Sequence, residues 1–432
     1  MKNLRLVLLT IFIIHAPFIE AQETVTLQSC YQDALLAHPF AGEKQIQQEL
    51  WQIKDQNIVS SWYPGISAGA NILYNTNIVN LSDALSEIPI PGIPDNIGGM
   101  PHDQYRATLD INQVIWDGGA IKNSRELEEA SLQLSEQEIE IELYKVREKV
   151  NSTFFGLILL KRQKELLNIY LVLFENKISN IESAIENGIM LPSDKNSILA
   201  EQIKLRQQIK ETEIRISAYC EILSDLTAKD IQSDTELILP DLSVKKNQDI
   251  NRPELMGLDF RIRQLEAGKS LIKSSRMPKA FGFATLGYGS PPGNDFFNDE
   301  FGTYAIVGAG ISWKIFDWNN SKRDRQKIEL NKTLLGNRKT DLEENISRAL
   351  LNKYSEIESY ASMLVTDMEL INLRKSISSA SESQFNNGSI TSTEYLSVLN
   401  LEKEAILSQN IHQVNYIKSQ VEYLNISGNE IK

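Results

Sequence analysis

The chain is poor in the residues that carry most catalysis and covalent bracing. It has two cysteines, Cys30 and Cys220, and four histidines. Two cysteines do not make a disulfide framework, and neither lies at metal-ligand spacing. The histidines (His15, His38, His102 and His412) are scattered, and no HExxH, GxSxG or paired-cysteine motif is present. Gly287-Tyr-Gly-Ser-Pro-Pro-Gly293 is not followed by the Lys-Ser/Thr of a phosphate loop. An enzyme reading therefore has no site to rest on, and no cofactor or metal is expected. Positive charge is also short: 44 Lys and Arg against 57 Asp and Glu give a formal net charge of −13. That argues against a nucleic-acid partner and suits a solvated helical surface. Beyond the first residues, no run approaches the ~18–20 apolar residues of a membrane-spanning helix.

The start itself, Met1-Lys-Asn-Leu-Arg followed by an apolar run from Leu6 to Ile14 and a small residue at Ala21, has the pattern of an export signal. Residues 1–21 are expected to be removed, leaving a protein outside the cytosol that is secreted, periplasmic or membrane-spanning as strands.

From Leu27 to about Ser61 apolar residues recur at helical spacing, and Pro64-Gly65 ends that pattern. Ile66, Ala68, Ala70, Ile72 and Tyr74 then alternate as in a strand. Residues 77–102 are rich in Pro and Gly and read as a loop. A second strand is cleaner: Tyr105, Ala107, Leu109 and Ile111 make one apolar face, Arg106, Thr108, Asp110 and Asn112 one polar face. Such a strand fits a soluble sandwich or a membrane barrel with a wet lumen. After Gln113-Val-Ile-Trp-Asp-Gly-Gly119 the period turns helical and stays so to about Glu186, on the order of 100 Å as one helix. Leu143, Val146, Val150, Phe154 and Leu157 mark its buried stripe. A helix of this length implies a coiled coil or helical tube. Asn187-Gly188 ends it, and Pro192 opens a further helix to about Thr227.

The second half repeats the first. His38-Pro39, Ser60-Ser61, Pro64 and Tyr74 are answered at an offset of 214 by Arg252-Pro253, Ser274-Ser275, Pro278 and Tyr288. From Asp117/Asp317 onward the offset is 200, with Asn187-Gly188 answered by Asn387-Gly388. The first loop is simply longer than the second. This gives a first repeat over 22–229, a linker or small subdomain over 230–251, and a second repeat over 252–432. Strands from Phe281 to Tyr288 and from Tyr304 to Ile315 alternate more weakly; Ala305, Val307, Ala309, Ile311 and Trp313 line one face of the latter. Long and short helices follow at about 319–385 and 391–425.

The fold class expected is α+β and mostly α. Duplicated long-helix hairpins form an α-helical barrel, with two shorter helices stacked beside each long one, capped by strands. Four strands are too few for a closed membrane barrel, whose minimum is about eight. Open edges on an apolar sheet are an aggregation hazard, so copies are expected to share one barrel. Two copies would give about eight strands and a filled interior, three about twelve and an open one.

The duplicated plan resembles the TolC-type outer-membrane efflux proteins, or outer membrane factors. The resemblance is carried by Thr26-Leu27 with Ala34 and His38-Pro39, Trp62-Tyr63-Pro64, Val114-Ile-Trp-Asp-Gly-Gly119, Asn187-Gly188 with Leu191, Arg252-Pro253-Glu254-Leu255, Trp313-Lys-Ile-Phe-Asp317, and Asn387-Gly388 with Leu396 to Asn400. It implies a homotrimer in the outer membrane of a Gram-negative bacterium, in contact with outer-membrane lipid, with a helical duct extending into the periplasm. It implies docking on a periplasmic adaptor (membrane fusion) protein and an inner-membrane transporter. The role implied is the passive exit duct of a tripartite efflux or type I secretion system.

The resemblance also places an acidic aperture just beyond the helical turns. Glu394 falls on its first position and Ser397 on a second, often acidic one. Asp194 falls on a position that can pair with a basic residue two after the second-turn glycine; that residue is Ile390 here, so the latch does not transfer. Glu394 reads equally as a first-turn carboxylate favoured by the helix dipole. Gly188, Gly388 and Leu191 mark the turns, where glycine ends a helix and an adaptor could bind. Asp117, Gly118 and Asp317 mark the joints between barrel and helix, with Asp as cap and glycine as bend. If the helices from residue 27 and to residue 228 meet end to end, Cys30 and Cys220 lie near that junction. An oxidising compartment would then let them bridge where the geometry allows. The competing reading is a periplasmic or surface coiled-coil protein with a small β head and a structural or adhesive role. The apolar strand faces and their aromatic residues favour the membrane.

Overall fold

A computed structural model describes residues 24–78, 100–296 and 298–431. The expected export signal and most of the first strand-to-strand loop lie outside the described residues. The helices are α1 (Leu27–Ala37), α2 (Glu43–Ser60), α3 (Ala120–Glu186), α4 (Pro192–Thr227), α5 (Pro253–Ser274), α6 (Asn320–Asn386) and α7 (Ser392–Ser427). The strands are β1 (Thr24–Thr26), β2 (Gly65–Tyr74), β3 (Asp103–Trp116), β4 (Glu236–Ile238), β5 (Lys279–Ser290) and β6 (Gly302–Ser312). The duplication is metrical: α3 and α6 each have 67 residues, α4 and α7 each have 36.

One expectation needs correction. The single helix over 27–61 is broken at His38, whose extended backbone (φ −67, ψ 135) leads into a short 3₁₀ turn at Pro39–Gly42. The cause is local: Pro39 has no amide proton to donate and biases the residue before it away from the helical region. The segment over 230–251, expected as a linker or small subdomain, carries β4, which pairs in parallel with β1, Val25 opposite Leu237.

The chain divides into two compact units that do not follow the repeats. One comprises the chain up to Gly42, Ile139–Leu255 and Asp341 onward. Its largest core gathers Leu27, Tyr31 and Ala34 of α1, Val150, Phe154, Phe155 and Leu157 of α3, Leu223 of α4 and Val421 of α7. On α3, Val150, Phe154 and Leu157 recur at steps of four and three residues, the buried stripe of an amphipathic helix, and Phe155 widens it. Each fully buried Phe or Leu contributes about 1.5–3 kcal/mol. A second cluster, between the turns, holds Phe174, Ile181, Ile198, Leu205, Phe385 and Tyr395. Polar groups pin the same unit. Tyr144 donates to the Asn425 carbonyl at 2.7 Å, and the Arg147 and Arg252 guanidinium groups lie 4.9 and 4.8 Å from the Tyr144 ring centre. On α6, by contrast, Leu351, Val365, Met368 and Leu373 remain exposed.

The other unit comprises Glu43–Glu138 and Met256–Thr340. Here α2 is tied to α3 by Arg125–Asp55 at 2.6 Å and Lys54–Glu128 at 3.2 Å. Likewise α5 is tied to α6 by Lys339–Asp259 at 2.8 Å and by a Lys332–Glu266 pair. Such surface pairs contribute little each, about 0–1 kcal/mol. No described residue of α2 is buried, and Ile46, Leu50 and Ile53 form an uncovered apolar stripe along it. The rest of this unit is a four-stranded antiparallel sheet in the order β2-β3-β5-β6. Among the described residues, β2 and β6 are paired on one side only. No helix of the described residues is long and apolar enough to cross a membrane.

Candidate functional site

Three places hold the candidate residues: the strand-to-helix joints, the helical turns and the two faces of the sheet. At the first joint Asp117 is buried. Its carboxylate accepts from the Gly119 amide at 2.8 Å and from the Ile121 amide, two of the donors that open α3. Gly118 and Gly119 have φ of 73 and 84. A side chain at Gly118 would also collide with Met277, since an added Cβ would lie 2.5 Å from the Met277 Cβ. At the second joint Asp317 accepts from the Ser321 amide at 3.0 Å and from its hydroxyl. Those bonds hold its carboxyl below the ordinary carboxylate value. The bend there is made by Trp318 and Asn319, at φ 55 and 61, rather than by glycines.

Both turns close in the same way. Gly188 and Gly388 take φ of 71 and 70. The Ile189 and Ser389 amides donate to the carbonyls of Ala184 and Gln384 at 2.9 and 2.8 Å, and each glycine amide donates to the carbonyl three residues back. This is the glycine-ended pattern that satisfies the last helical carbonyls. Beyond each turn a carboxylate bonds back to the residue that caps the next helix. The Leu191 amide donates to Asp194 at 3.2 Å, and the Thr391 amide donates to Glu394 at 2.8 Å. The Glu394 amide donates in return to the Thr391 hydroxyl at 3.2 Å, completing a reciprocal capping box. The Thr391 bonds hold the Glu394 carboxyl below its usual range. Glu394 and Ser397 are exposed; Asp194 is half-buried. The structure therefore gives Asp194 and Glu394 equivalent positions in the two hairpins. Among the described residues neither makes an ion pair. Leu191 is exposed beside the first turn, whereas Ile390 packs onto the second core cluster.

A residue that the sequence pattern left unmarked joins the two hairpins close to these turns. Lys177 of α3 is 4% exposed, and its ammonium lies 2.6 Å from Glu382 and 3.2 Å from Asn386, both on α6. It also stands 5.2 Å from the centre of the Tyr395 ring, which stacks on Phe385 at 5.0 Å. Helical periodicity marks apolar stripes; a lysine whose partner lies far along the chain gives no such signal. Of the scattered histidines, His412 lies 2.7 Å from Asp367. Cys30 and Cys220 share the main core as free thiols, so the bridge is not formed. Burial pushes the Cys30 thiol up to about 12, far from thiolate reactivity.

The sheet sorts its side chains sharply. Residues directly opposite across an antiparallel pair share a face. Ile66 opposes Ile111, Ala68 opposes Leu109 and Ala70 opposes Ala107. Leu109 in turn opposes Leu286, which opposes Ala305, and Ala284 opposes Val307. One face is thus apolar across all four strands. On the other, Asp110 accepts from the Thr108 hydroxyl at 2.9 Å and the Thr285 hydroxyl at 2.6 Å, with Arg106, Asn112 and Asn71 alongside. Four of the five tryptophans (Trp62, Trp116, Trp313 and Trp318) lie just outside or at the ends of strands that adjoin helices, all exposed.

No family model matches this chain, and no curated relative does. Solved structures do. CusC, which forms a transmembrane channel, superposes with a TM-score of 0.71 at 11% identity, over 94% of this chain and 92% of that one. The outer membrane protein VceC of Vibrio cholerae gives 0.67 at 11% identity, over 94% and 97%. The open state of the MtrE outer membrane channel of Neisseria gonorrhoeae gives 0.66 at 12% identity, over 94% and 89%. Nearly the whole of each chain is matched, while few residues are shared. The chain therefore has the TolC-type fold of outer-membrane channel proteins.

Proposed function

We propose that this protein is the outer-membrane exit duct of a tripartite efflux or type I secretion system of a Gram-negative bacterium. It conducts passively what an inner-membrane pump delivers. The observation that carries the reading is the sheet. A face apolar across four strands suits lipid, its opposite suits water, and two open edges need partners. Three copies joined edge to edge, β6 of one against β2 of the next, would close about twelve strands around an open lumen. The tryptophans at the helix-side strand ends fit the level of the lipid headgroups. The uncovered stripes on α2 and α6 are surface that neighbouring copies would bury. The helices would extend into the periplasm. Gly188, Leu191 and Gly388 would lie at the tip that meets a periplasmic adaptor. Glu394, Ser397 and Asp194 would line the aperture beside it, where a ring of like charges favours cations. Asp117, Gly118 and Asp317 serve as the joints that turn each strand pair into a long helix.

The deciding experiment is purification without and with detergent, followed by mass measurement and reconstitution into planar bilayers. A detergent-dependent trimer giving discrete conductance steps is expected. A monomer soluble without detergent and giving no steps would overturn the reading. In cells, cross-linking at Leu191 should recover an adaptor of the periplasmic membrane-fusion type.

A further inference from the structure

The water-facing side of the sheet is not uniformly polar. Register puts Phe283 opposite Asn112 and Phe281 opposite Val114 on β3, on the same face as Asp110 and Thr285. On β6 these rings meet glycines: Phe283 opposes Gly308 and Phe281 opposes Gly310. The ring tips lie across the neighbouring strand, so that a Cβ added at Gly308 or Gly310 would fall 2.5 or 2.7 Å from them. Tyr304 lies in the same way over Gly287, its partner on β5. Phe281 and Phe283 are each 36% exposed, and their centres are 6.4 Å apart.

Rings placed only to stabilise a membrane sheet belong on the lipid side, one residue along. Here they stand on the wet side, and each has glycine opposite, which lowers the wall so that the ring can lie over it. Beside them is a carboxylate. Asp110 is bonded to Thr285, the next residue after Phe283 on that face, a diagonal step of about 7–8 Å. Two cations share this face: Arg106 on β3, four residues from Asp110 or roughly 13 Å, and Lys279 on β5, two residues from Phe281 and six from Thr285, roughly 20 Å from the carboxylate. Aromatic faces attract cations through their quadrupole, and a carboxylate close by adds to that. The chain as a whole carries a formal net charge of −13.

We propose that Phe281, Phe283 and Asp110 form a binding station on the inner wall for organic cations with an apolar body, repeated once per copy. The proposal rests on the duct reading, which makes this face the lumen. It names a chemical class of cargo that the wall favours, and it assigns a role to rings that sheet stability alone would put elsewhere.

The test is equilibrium binding of phenyltrimethylammonium to the detergent-solubilised channel by saturation-transfer NMR, with benzenesulfonate as an anion of similar size. Wild-type protein should bind the cation and not the anion. Phe281→Leu with Phe283→Leu keeps apolar bulk but removes the quadrupole, and should weaken cation binding by about tenfold. Asp110→Asn should weaken it severalfold, and serves as the test should the leucine pair fail to assemble. Discrete conductance steps in bilayers should persist in each variant, which shows that the channel still assembles. Unchanged cation affinity in either variant, or equal binding of benzenesulfonate, would overturn the station. Absence of conductance from wild type would overturn the duct reading itself, which separates the two failures.

Discussion

Asp117 and Asp317 cap two helices of equal length, yet the residues after them differ, and the difference has a steric cause. Gly118 sits against Met277 at positive φ, so it has neither room nor a favourable backbone for a side chain. Gly118→Ala should cost about 2–4 kcal/mol, from the left-handed backbone and the overlap together, read as a lowered midpoint in thermal unfolding. Trp318 takes a similar backbone with room around it and rests on Phe316, ring centres 4.9 Å apart. Trp318→Gly relieves the backbone but loses that contact and gains unfolded-state freedom. The net change should stay within about 1 kcal/mol. The two joints also show the limit of reading single residues. Asp-Gly-Gly announces a cap and a bend, because glycine is at ease at positive φ. Asp-Trp-Asn announces nothing of the kind; only its place in the duplication marked it.

At the scale of the element, the start of α7 separates structure from charge. Glu394 completes a capping box, and glutamine can take the same place in such a box. Glu394→Gln should therefore keep the box and lose only the small share of stability that the charge supplies, while lowering the cation preference of reconstituted channels. Glu394→Ala should lower both, and an unchanged ion preference in the two variants would remove Glu394 from the aperture. The pH response has a definite sign. Because bonding to Thr391 depresses this carboxyl, its contribution to the helix cap is complete above the ordinary value of 4.5. It is lost as pH falls through the lower folded value. Both cap and charge should accordingly persist at pH 5. Close by, at the same turn end of the hairpins, Lys177 is buried while its partner Glu382 is 44% exposed on its side chain, so solvent can still serve the acid once the lysine is gone. Lys177→Met should cost about 1–2 kcal/mol, less than a fully buried pair would, and loosen α3 from α6 near the turns. Hydrogen exchange in the last turns of both helices would report it. Periodicity made α3 and α6 legible to within a residue at their ends, whereas the Lys177–Glu382 tie, 205 residues apart in sequence, is a product of packing alone.

For the whole molecule, the repeat offset carried most of what could be read in advance: two long helices, two shorter ones and two strand pairs. It missed the break at Pro39, where the repeats differ, and the pairing of β1 with β4, whose three-residue strands are too short to show alternation. The faces of β2 and β3 were plain because one face is apolar and the other polar. Those of β5 and β6 were not, since glycines and aromatic rings share the wet side and mask the alternation. Outside the bulge between Val114 and Trp116, the register now assigns the paired residues of the sheet to a side, and this makes the membrane reading testable by a single substitution. Val307 is 80% exposed on the apolar face of the open-edged strand β6, opposite Ala284. An arginine there faces lipid if copies close a barrel, at about 2–4 kcal/mol for each chain near the mid-plane. It would be harmless if the face were wet. Thr108, on the polar face of β3, provides the control. Val307→Arg should abolish the detergent-stable trimer and the membrane-fraction protein, while Thr108→Arg should retain both and alter only conductance. Equal tolerance of the two arginines would mean that the apolar face does not meet lipid, and the duct would have to be given up in favour of a soluble assembly.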